Sequence, residues 1–499
     1  MLAMLRSTTV PVRGRKLWRG LRWALAAGAV PLALFACNSH PLEQPMPAPE
    51  QQTDLLYEVN PVRKLDLIFM IDNSSSMTAK QDNLRNNFPG FMQELTKIQG
   101  GAPDMHIAVI SSTVGAGPTT PAAECYPGGD RGRFQVRPEC GIDTTKSGYF
   151  LKIDAAGKTN FEELGGLAKL PDVFKCMAAL GVNGCGYEHQ LLSLYFSVDG
   201  RTNPENAGFL RDDAYLGVVL LSDEDDCSAE PTANFFASPI AGQSGSVRCS
   251  LLGHQCNGQP VPPMPFSTPL SNCKPYERDD ATEKDSRLIN VGVFVDFLKT
   301  VVKKGRSDKI LVSTVIGWDD SPDAKYSIIE QPSRNGGTEI DTGPICNDQG
   351  AGAAAPGLRL HTFAKAFENN TVFPICKTDL SPAMTEIGRR LRLLIENTCI
   401  TAPLYDRDAD GSNGVQPDCE VLDQVPLNDG TNQYKEQYLQ PCVAGGAGPC
   451  WSLTADPLCG SGYRTEVTRP VPAAAGTLQS IKCLTCPTGS TDPHCVRKP

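Results

Sequence analysis

The sequence predicts an α/β fold: a doubly wound, mostly parallel sheet with disulfide-rich insertions, followed by a small β-rich C-terminal module. Short, almost continuous apolar runs are typical of strands that are covered on both faces, and helical patterns lie between these runs. The third observation is the presence of 19 cysteines among 499 residues. A chain of this length indicates two or three domains, and 40% hydrophobic residues are enough to form a buried core.

The N-terminus has the features of an export signal. Residues 1–36 contain six basic and no acidic residues, and they end in an apolar run over 23–36. This run is too short and too interrupted by proline for a transmembrane helix, but it suits a signal peptide. The sequence Leu34-Phe35-Ala36-Cys37 resembles a bacterial lipobox. The resemblance implies cleavage before Cys37 and lipidation of its thiol; the alternative is an ordinary secretory signal followed by a chance cysteine.

A Pro-rich segment over 37–60 is predicted to tether the folded part to this anchor. Asn38 stands where some bacteria place Asp to retain lipoproteins in the inner membrane, so its presence favours the outer membrane. The whole chain has a net charge of −10, and removal of the signal leaves 40 basic against 56 acidic residues. This acidic balance argues against non-specific nucleic-acid binding and favours cations as partners.

The cysteines agree with export. Without Cys37 there are 18, ten from Cys125 to Cys376 and eight from Cys399 to Cys495, so up to nine disulfides in two separately cross-linked units are predicted. Cys483 and Cys486 have the spacing of half a zinc ribbon, but no second matching pair follows. Disulfide bonding is therefore the prediction for them as well.

Strands and helices alternate from residue 64 onwards. Strands are predicted at 65–71, 106–111, 215–221, 310–316 and 372–375, and helices at 78–97, 287–304, 359–369 and 382–397. Such alternation predicts a parallel sheet, whose binding sites lie at the carboxyl ends of the strands.

Polar residues follow two of these strands at that edge. Asp72, Ser74 and Ser76 come directly after the first strand, and Asp223 follows the strand at 215–221. Hydroxyl and carboxylate oxygens are ligands that a hard divalent cation prefers, so we expect Mg²⁺ here, with Ca²⁺ or Mn²⁺ as alternatives. The simpler interpretation is a Ser-rich turn that caps the next helix.

This Asp-x-Ser-x-Ser turn, together with Asp223, resembles the von Willebrand factor type A (vWA) domain, a Rossmann-like fold. The resemblance covers residues 61–400, interrupted by Cys-rich insertions at 114–150 and 228–285, and implies a metal-ion-dependent adhesion site. The family usually adds a Thr from an intervening loop, but residues 184–190 contain none. Glu188 is the best-placed oxygen ligand there, although it could equally begin a helix. The segment 221–228 also resembles a Cys-rich subgroup of exported bacterial vWA lipoproteins.

Two further acidic groups are candidates for additional cations. Asp225 and Asp226 extend the run that begins at Asp223, and they either bind a second cation or are simply solvated. In the C-terminal module, 401–499, Asp406, Asp408 and Asp410 alternate before a glycine and resemble the opening of a calcium loop. Pro417 occupies the position where an EF-hand needs Glu, so the alternatives are a different type of Ca²⁺ loop or an acidic linker.

No nucleophile elbow, histidine metal pair or phosphate-binding glycine loop follows any predicted strand, so we do not expect an enzyme. The expectation is a lipoprotein, anchored in the outer membrane of the cell envelope, that binds an envelope or extracellular protein or a glycan through its cation. The alternative is a structural envelope protein in which cations and disulfides only provide rigidity.

Overall fold

The computed structural model describes residues 51–58 and 64–496 apart from a set of gaps. These gaps are 99–101, 117–124, 126–127, 232–235, 237–242, 279–287, 320, 322–324, 334–335, 397–398, 401, 409, 411, 413, 428–432, 444–445, 447, 458, 472, 474–476 and 488. The predicted signal peptide, the lipidation site at Cys37 and the first part of the tether lie outside the described residues.

The strands, in chain order, are β1 (Gln51–Glu58), β2 (Lys64–Ile71), β3 (Asp104–Ser111), β4 (Leu151–Ile153), β5 (Tyr215–Leu221), β6 (His254–Cys256), β7 (Gln259–Pro260), β8 (Cys273–Pro275), β9 (Ile310–Ile316), β10 (Ile328–Pro332), β11 (Thr338–Thr342), β12 (Cys346–Asp348), β13 (Gly352–Ala354), β14 (Asn369–Pro374), β15 (Cys419–Pro426), β16 (Tyr434–Pro441), β17 (Cys450–Ala455), β18 (Tyr463–Thr468) and β19 (Leu478–Thr485). The α-helices are α1 (Thr78–Thr96), α2 (Thr144–Ser147), α3 (Leu170–Met177), α4 (Gln190–Val198), α5 (Gly245–Gly253), α6 (Val291–Asp296), α7 (Leu358–Lys365) and α8 (Ser381–Glu396).

The central sheet has the strand order β14-β9-β5-β2-β3-β4. All neighbours are parallel except β4, which pairs antiparallel with β3 at one edge. Numbered along the chain, this is the doubly wound order 3-2-1-4-5-6, and the order reverses between β2 and β5. The predicted doubly wound, mostly parallel vWA/Rossmann-like fold is confirmed, and its switch point lies where Asp72 and Asp223 leave their strands.

Both faces of this sheet are covered, which explains the continuous apolar strands. From β2, Leu65, Leu67 and Phe69 enter one core cluster, while Ile68 and Met70 enter the other. The first cluster packs against α1 and α8, and the second against α4, α6 and α7. The strand ends therefore have fixed positions on which a site can be built.

Nine disulfides link the cysteines, and the predicted two sets do not mix. Five bonds lie within the first ten cysteines: Cys125–Cys185, Cys140–Cys176, Cys227–Cys249, Cys256–Cys273 and Cys346–Cys376. Four lie within the last eight: Cys399–Cys459, Cys419–Cys483, Cys442–Cys450 and Cys486–Cys495. Both predicted insertions are thus cross-linked, and Cys483 and Cys486 belong to different disulfides.

The C-terminal module is a second sheet with the order β1-β19-β15-β16-β17-β18, around a core that includes Trp451 and Ile481. Residues 51–58 lie inside the predicted tether, but they form β1 and pair antiparallel with β19. The prediction differs because a Pro-rich, polar segment gives no sign of a partner strand more than 400 residues away. The Cys399–Cys459 disulfide and the ion pair of Arg389 with Asp456 (2.6 Å) join the module to the end of α8.

Candidate metal centre

The turn after β2 is organised by Asp72, which is completely buried. Its backbone N–H donates to the carbonyl of Leu221 at 2.9 Å and so ties the end of β2 to the end of β5. Its carboxylate accepts hydrogen bonds from the Ser74 N–H (2.8 Å), the Ser222 hydroxyl (2.6 Å) and the Ser112 hydroxyl (3.3 Å). Asp72 therefore orients the turn that presents the two serines.

The two serines and Asp223 bring three side-chain oxygens together. Ser74 Oγ lies 3.2 Å from Ser76 Oγ, and the Ser76 hydroxyl donates to Asp223 Oδ1 at 3.0 Å. Adjacent oxygen ligands in an octahedron around Mg²⁺ are about 2.9 Å apart, given bonds of about 2.0–2.1 Å. Ser74 is buried, whereas Ser76 is exposed, so one side of this group faces solvent. The spacing and the donor chemistry fit a small divalent cation.

A cation of the chain itself already contacts this group. Lys80, in the first turn of α1, places Nζ 2.6 Å from Asp223 Oδ2, and both side chains are only 2% exposed. The ammonium also donates to the carbonyl oxygens of Ala353 (3.0 Å) and Ser76 (3.4 Å). The charge of Asp223 is therefore partly neutralised from within the protein.

Two more carboxyl groups, those of the buried Glu188 and the half-buried Glu224, interact electrostatically with the turn. Burial, with a further contribution from Asp223, raises the pKa of Asp72 to about 6. Burial raises the pKa of Glu188 well above its usual value, and the neighbouring Glu224 raises it further. Burial, reinforced by the charge of Asp223, raises the pKa of Glu224 to about 8. These directions all indicate negative charge in excess of what the surrounding donors stabilise.

Glu188 lies near the turn but does not complete the group of oxygens around the serines. The described contacts give it no hydrogen bond to Ser74, Ser76 or Asp223, and its Oε1 receives none at all. Its role as a ligand to the same cation therefore stays a prediction.

Thr113 and the loop at Gly184 brace the turn. Gly184 donates its N–H to the carbonyl of Asn73 at 2.8 Å, and a Cβ at Gly184 would lie 2.3 Å from Asn73 Oδ1, so a larger residue does not fit. Thr113 donates its hydroxyl to the same Asn73 oxygen at 2.8 Å. The Cys125–Cys185 disulfide anchors this loop to the insertion. Thr113 and the loop at Gly184 thus hold the shape of the turn, and the disulfide connects that loop to the first insertion.

Asp225 and Asp226 are used elsewhere. Asp225 accepts from His254 Nε2 (2.6 Å) and from the backbone N–H of Arg359 (2.8 Å) at the start of α7. Asp226 accepts from the Arg359 guanidinium (3.0 Å) and from the N–H of Leu191 (2.9 Å) at the start of α4. These carboxylates already neutralise a buried cation and cap two helices, so the structure does not bring them to a second cation position.

The acidic loop of the C-terminal module forms a chain of local hydrogen bonds. Asp406 Oδ1 accepts from the N–H of Gln416 (3.0 Å), Asp408 Oδ1 from that of Asp410 (3.0 Å), and Asp410 Oδ1 from that of Ser412 (3.0 Å). Residues 409, 411 and 413 lie outside the described part of the chain. Calcium binding by Asp406, Asp408 and Asp410 stays a prediction, separate from the centre at Asp72.

Sequence reasoning missed Lys80 and Ser112, and it included Glu224 only as part of the acidic run from Asp223 to Asp226. Lys80 could have been noticed, because it lies one helical turn after Ser76 and would be expected on the same side of α1. Within the described part of the chain, no group of three or more His, Cys, Asp or Glu side chains has a metal-binding arrangement. A cation at Asp72 and Asp223 would therefore depend on the serine hydroxyls as well.

Comparison with protein-family models finds no match, and neither does comparison with curated proteins. Among solved structures, the chain is similar to a von Willebrand factor type A protein from Catenulispora acidiphila, with 10% identity and a TM-score of 0.28 over 87% of this chain and 64% of that one. The chain is also similar to the pilus adhesin SpaC from Lactobacillus rhamnosus GG, with 9% identity and a TM-score of 0.27 over 87% of this chain and 40% of that one. A third similar structure is the type V pili tip protein Mfa5 from Porphyromonas gingivalis, with 10% identity and a TM-score of 0.28 over 89% of this chain and 66% of that one.

The chain spans less than two thirds of each of these three structures. Similarity at this level carries no argument about activity. The vWA-type assignment concerns the fold of residues 64–396 and rests on strand order, register and the turn at the switch point.

Proposed function

We propose that this chain is a cell-envelope lipoprotein whose vWA-type domain binds a protein or glycan ligand through a divalent cation. The cation is held by Ser74, Ser76 and Asp223, with Asp72 behind them. The observation that carries this proposal is the oxygen spacing of 3.2 and 3.0 Å at the switch point of the sheet. These two spacings lie between the about 2.9 Å expected around Mg²⁺ and the about 3.4 Å expected around Ca²⁺, and both cations are therefore titrated below.

The chain's own residues explain why such a cation would bind a partner. The serines are neutral ligands, and Lys80 offsets part of the charge of Asp223 at 2.6 Å. A cation in these surroundings retains positive charge, and the exposed side of Ser76 gives a ligand access to it. An acidic group, either a carboxylate side chain of a protein or a uronate of a glycan, is the chemistry that fits.

Anchoring follows from the sequence. The lipobox-like Leu34-Phe35-Ala36-Cys37 supports lipidation at Cys37, and Asn38 supports the outer membrane. Among the described helices, none combines the length and the apolar character that crossing a bilayer requires.

The alternative function is a rigid structural protein of the envelope, supported by the nine disulfides. Catalysis is not part of the proposal, because no nucleophile–base motif follows any strand. Chelation of the cation distinguishes the two functions. A cation-dependent binding protein would lose its ligand in EDTA, whereas a purely structural protein would show no ligand binding either with or without EDTA.

The test is calorimetric titration of the purified exported chain with Mg²⁺, Mn²⁺ and Ca²⁺. The double variant Ser74→Ala/Ser76→Ala should lose the cation held at the serines while its melting temperature stays close to that of the parent protein. Ser75→Ala, in the same turn but exposed, is the matched control and should bind normally. A glutamate-rich peptide and an oligouronate are then titrated with Mg²⁺ and again with EDTA. Equal cation binding by parent and double variant would contradict the proposal.

A further inference from the structure

Three buried oxygens close to Asp72 receive no hydrogen bond from any described group: Glu188 Oε1, Gln190 Oε1 and Glu224 Oε2. Glu188 is 1% exposed and Gln190 is fully buried. Buried oxygens almost always have a donor, and an unsatisfied one destabilises the fold. Carboxylate and carboxamide oxygens without donors are also the ligands that a hard cation uses.

Hydrogen bonds place these groups together. Gln190 donates its Nε2 to the Ser222 hydroxyl (2.8 Å) and to the carbonyl of Glu224 (3.2 Å). The Ser222 hydroxyl in turn donates to Asp72 Oδ2 at 2.6 Å. Glu188 faces Glu224, since each is a direct side-chain neighbour that perturbs the other's pKa. The unsatisfied oxygens thus belong to side chains gathered beside the first centre.

Helix capping does not account for Glu188. The first free N–H groups of α4 are taken by other residues: Leu191 donates to Asp226 Oδ1 at 2.9 Å, and Leu192 to the Ser228 hydroxyl at 2.8 Å. Glu188 therefore makes no capping hydrogen bond to these two N–H groups.

The local charge also requires a further cation or a proton. Asp72, Glu188, Asp223 and Glu224 influence one another electrostatically. When all four carboxyls are ionised, Lys80 offsets one of the negative charges, and a divalent cation at the serines offsets two. One buried carboxylate is then still uncompensated, which is costly in a low-dielectric environment.

We propose that Glu188 and Glu224, assisted by the carboxamide oxygen of Gln190, bind a second divalent cation beside the first. This second site is additional to the adhesion-type centre. Its ligands are Glu188 and Glu224 instead of Asp225 and Asp226, which the sequence suggested for a second cation. The second cation holds the loop at 188–190 against the residues after β5, and it adds positive charge behind the ligand-binding side.

The experiment measures bound Mn²⁺ per chain by equilibrium dialysis and elemental analysis. The parent protein should bind about two ions, and Glu224→Gln about one. Glu230→Gln, an exposed Glu in the second insertion, is the control and should bind as many as the parent. Circular dichroism melting checks that each variant folds. If Glu224→Gln does not fold, Glu188→Gln takes its place in the experiment.

Two results would overturn this proposal. The first is unchanged stoichiometry in Glu224→Gln, which would mean that the two carboxyls share a proton instead. The second is loss of both ions in a folded Glu224→Gln, which would place Glu224 in the first centre. The Ser74→Ala/Ser76→Ala variant tests the first centre separately and should retain one ion. When Glu224→Gln is added to this double variant, the remaining ion should also be lost.

Discussion

Replacement of Lys80 by methionine is expected to weaken the metal-free fold and to strengthen cation binding. The substitution keeps most of the side-chain length and removes the ammonium, which lies 2.6 Å from Asp223 Oδ2 in surroundings where both side chains are 2% exposed. Removing one partner of a buried ion pair costs about 3–5 kcal/mol, because the other charge stays buried and unpaired. We expect the free energy of unfolding to fall by that amount in EDTA. The loss should be smaller with Mg²⁺, because the bound cation then neutralises Asp223 in place of the ammonium.

The effect on affinity follows from the same geometry. Two unit charges 4 Å apart interact by about 4 kcal/mol at an effective dielectric constant of 20. Since each 1.4 kcal/mol is a factor of ten, removal of a repelling ammonium should tighten divalent-cation binding by at least about tenfold.

The assay is calorimetric titration with Mn²⁺ and Mg²⁺, together with denaturant unfolding in EDTA and in Mg²⁺. The control is Lys169→Met, which removes a surface pair with Asp172 whose side chains are 56% and 69% exposed. That variant should leave both cation affinity and stability nearly unchanged. Unchanged or weaker cation affinity in Lys80→Met would refute the reasoning, because it would mean that the ammonium and the cation do not share Asp223.

Three further outcomes are expected. Because the pKa of Glu224 is raised to about 8, the folded metal-free state binds its proton more tightly than the unfolded state, so stability rises as pH falls from 8 to 7. Denaturant unfolding at both pH values should show this gain shrinking in Glu224→Gln. Asp226→Asn should lose about 3–5 kcal/mol, because it unpairs the buried Arg359, with Mn²⁺ stoichiometry unchanged by dialysis. Joint replacement of Cys399 and Cys459 by Ser removes the closure of a 60-residue loop and should cost about 4 kcal/mol by thermal unfolding, again with normal Mn²⁺ binding. Loss of Mn²⁺ in either of these last two variants would count against the assigned structural roles.

The central sheet was predictable because its signals are local. The apolar run before Asp72 identifies β2, and the alternation of strands with helices predicts a doubly wound, mostly parallel sheet. Since Asp72, Ser74 and Ser76 occupy one turn and Asp223 follows the neighbouring strand, their meeting also followed from the sequence.

Other features depend on contacts between distant parts of the chain. Lys80 and Asp223 are 143 residues apart, and nothing in either neighbourhood indicates that they pair. The run from Asp223 to Asp226 suggests a solvated or metal-binding tail, yet Asp226 is buried against Arg359 while Glu224 turns toward Glu188. Which carboxylate meets which cation is decided by packing in three dimensions, and composition does not reveal it.

The most direct test of the central claim is a crystal of the exported chain soaked in Mn²⁺, with anomalous scattering measured at the manganese edge. The account predicts a peak within ligand distance of Ser74 Oγ and Ser76 Oγ, with Lys80 moved away from Asp223 Oδ2 or sharing it. Absence of a peak at the serines, with the Lys80–Asp223 pair intact in saturating Mn²⁺, would contradict the account and leave a turn that Asp72 orients without any cation.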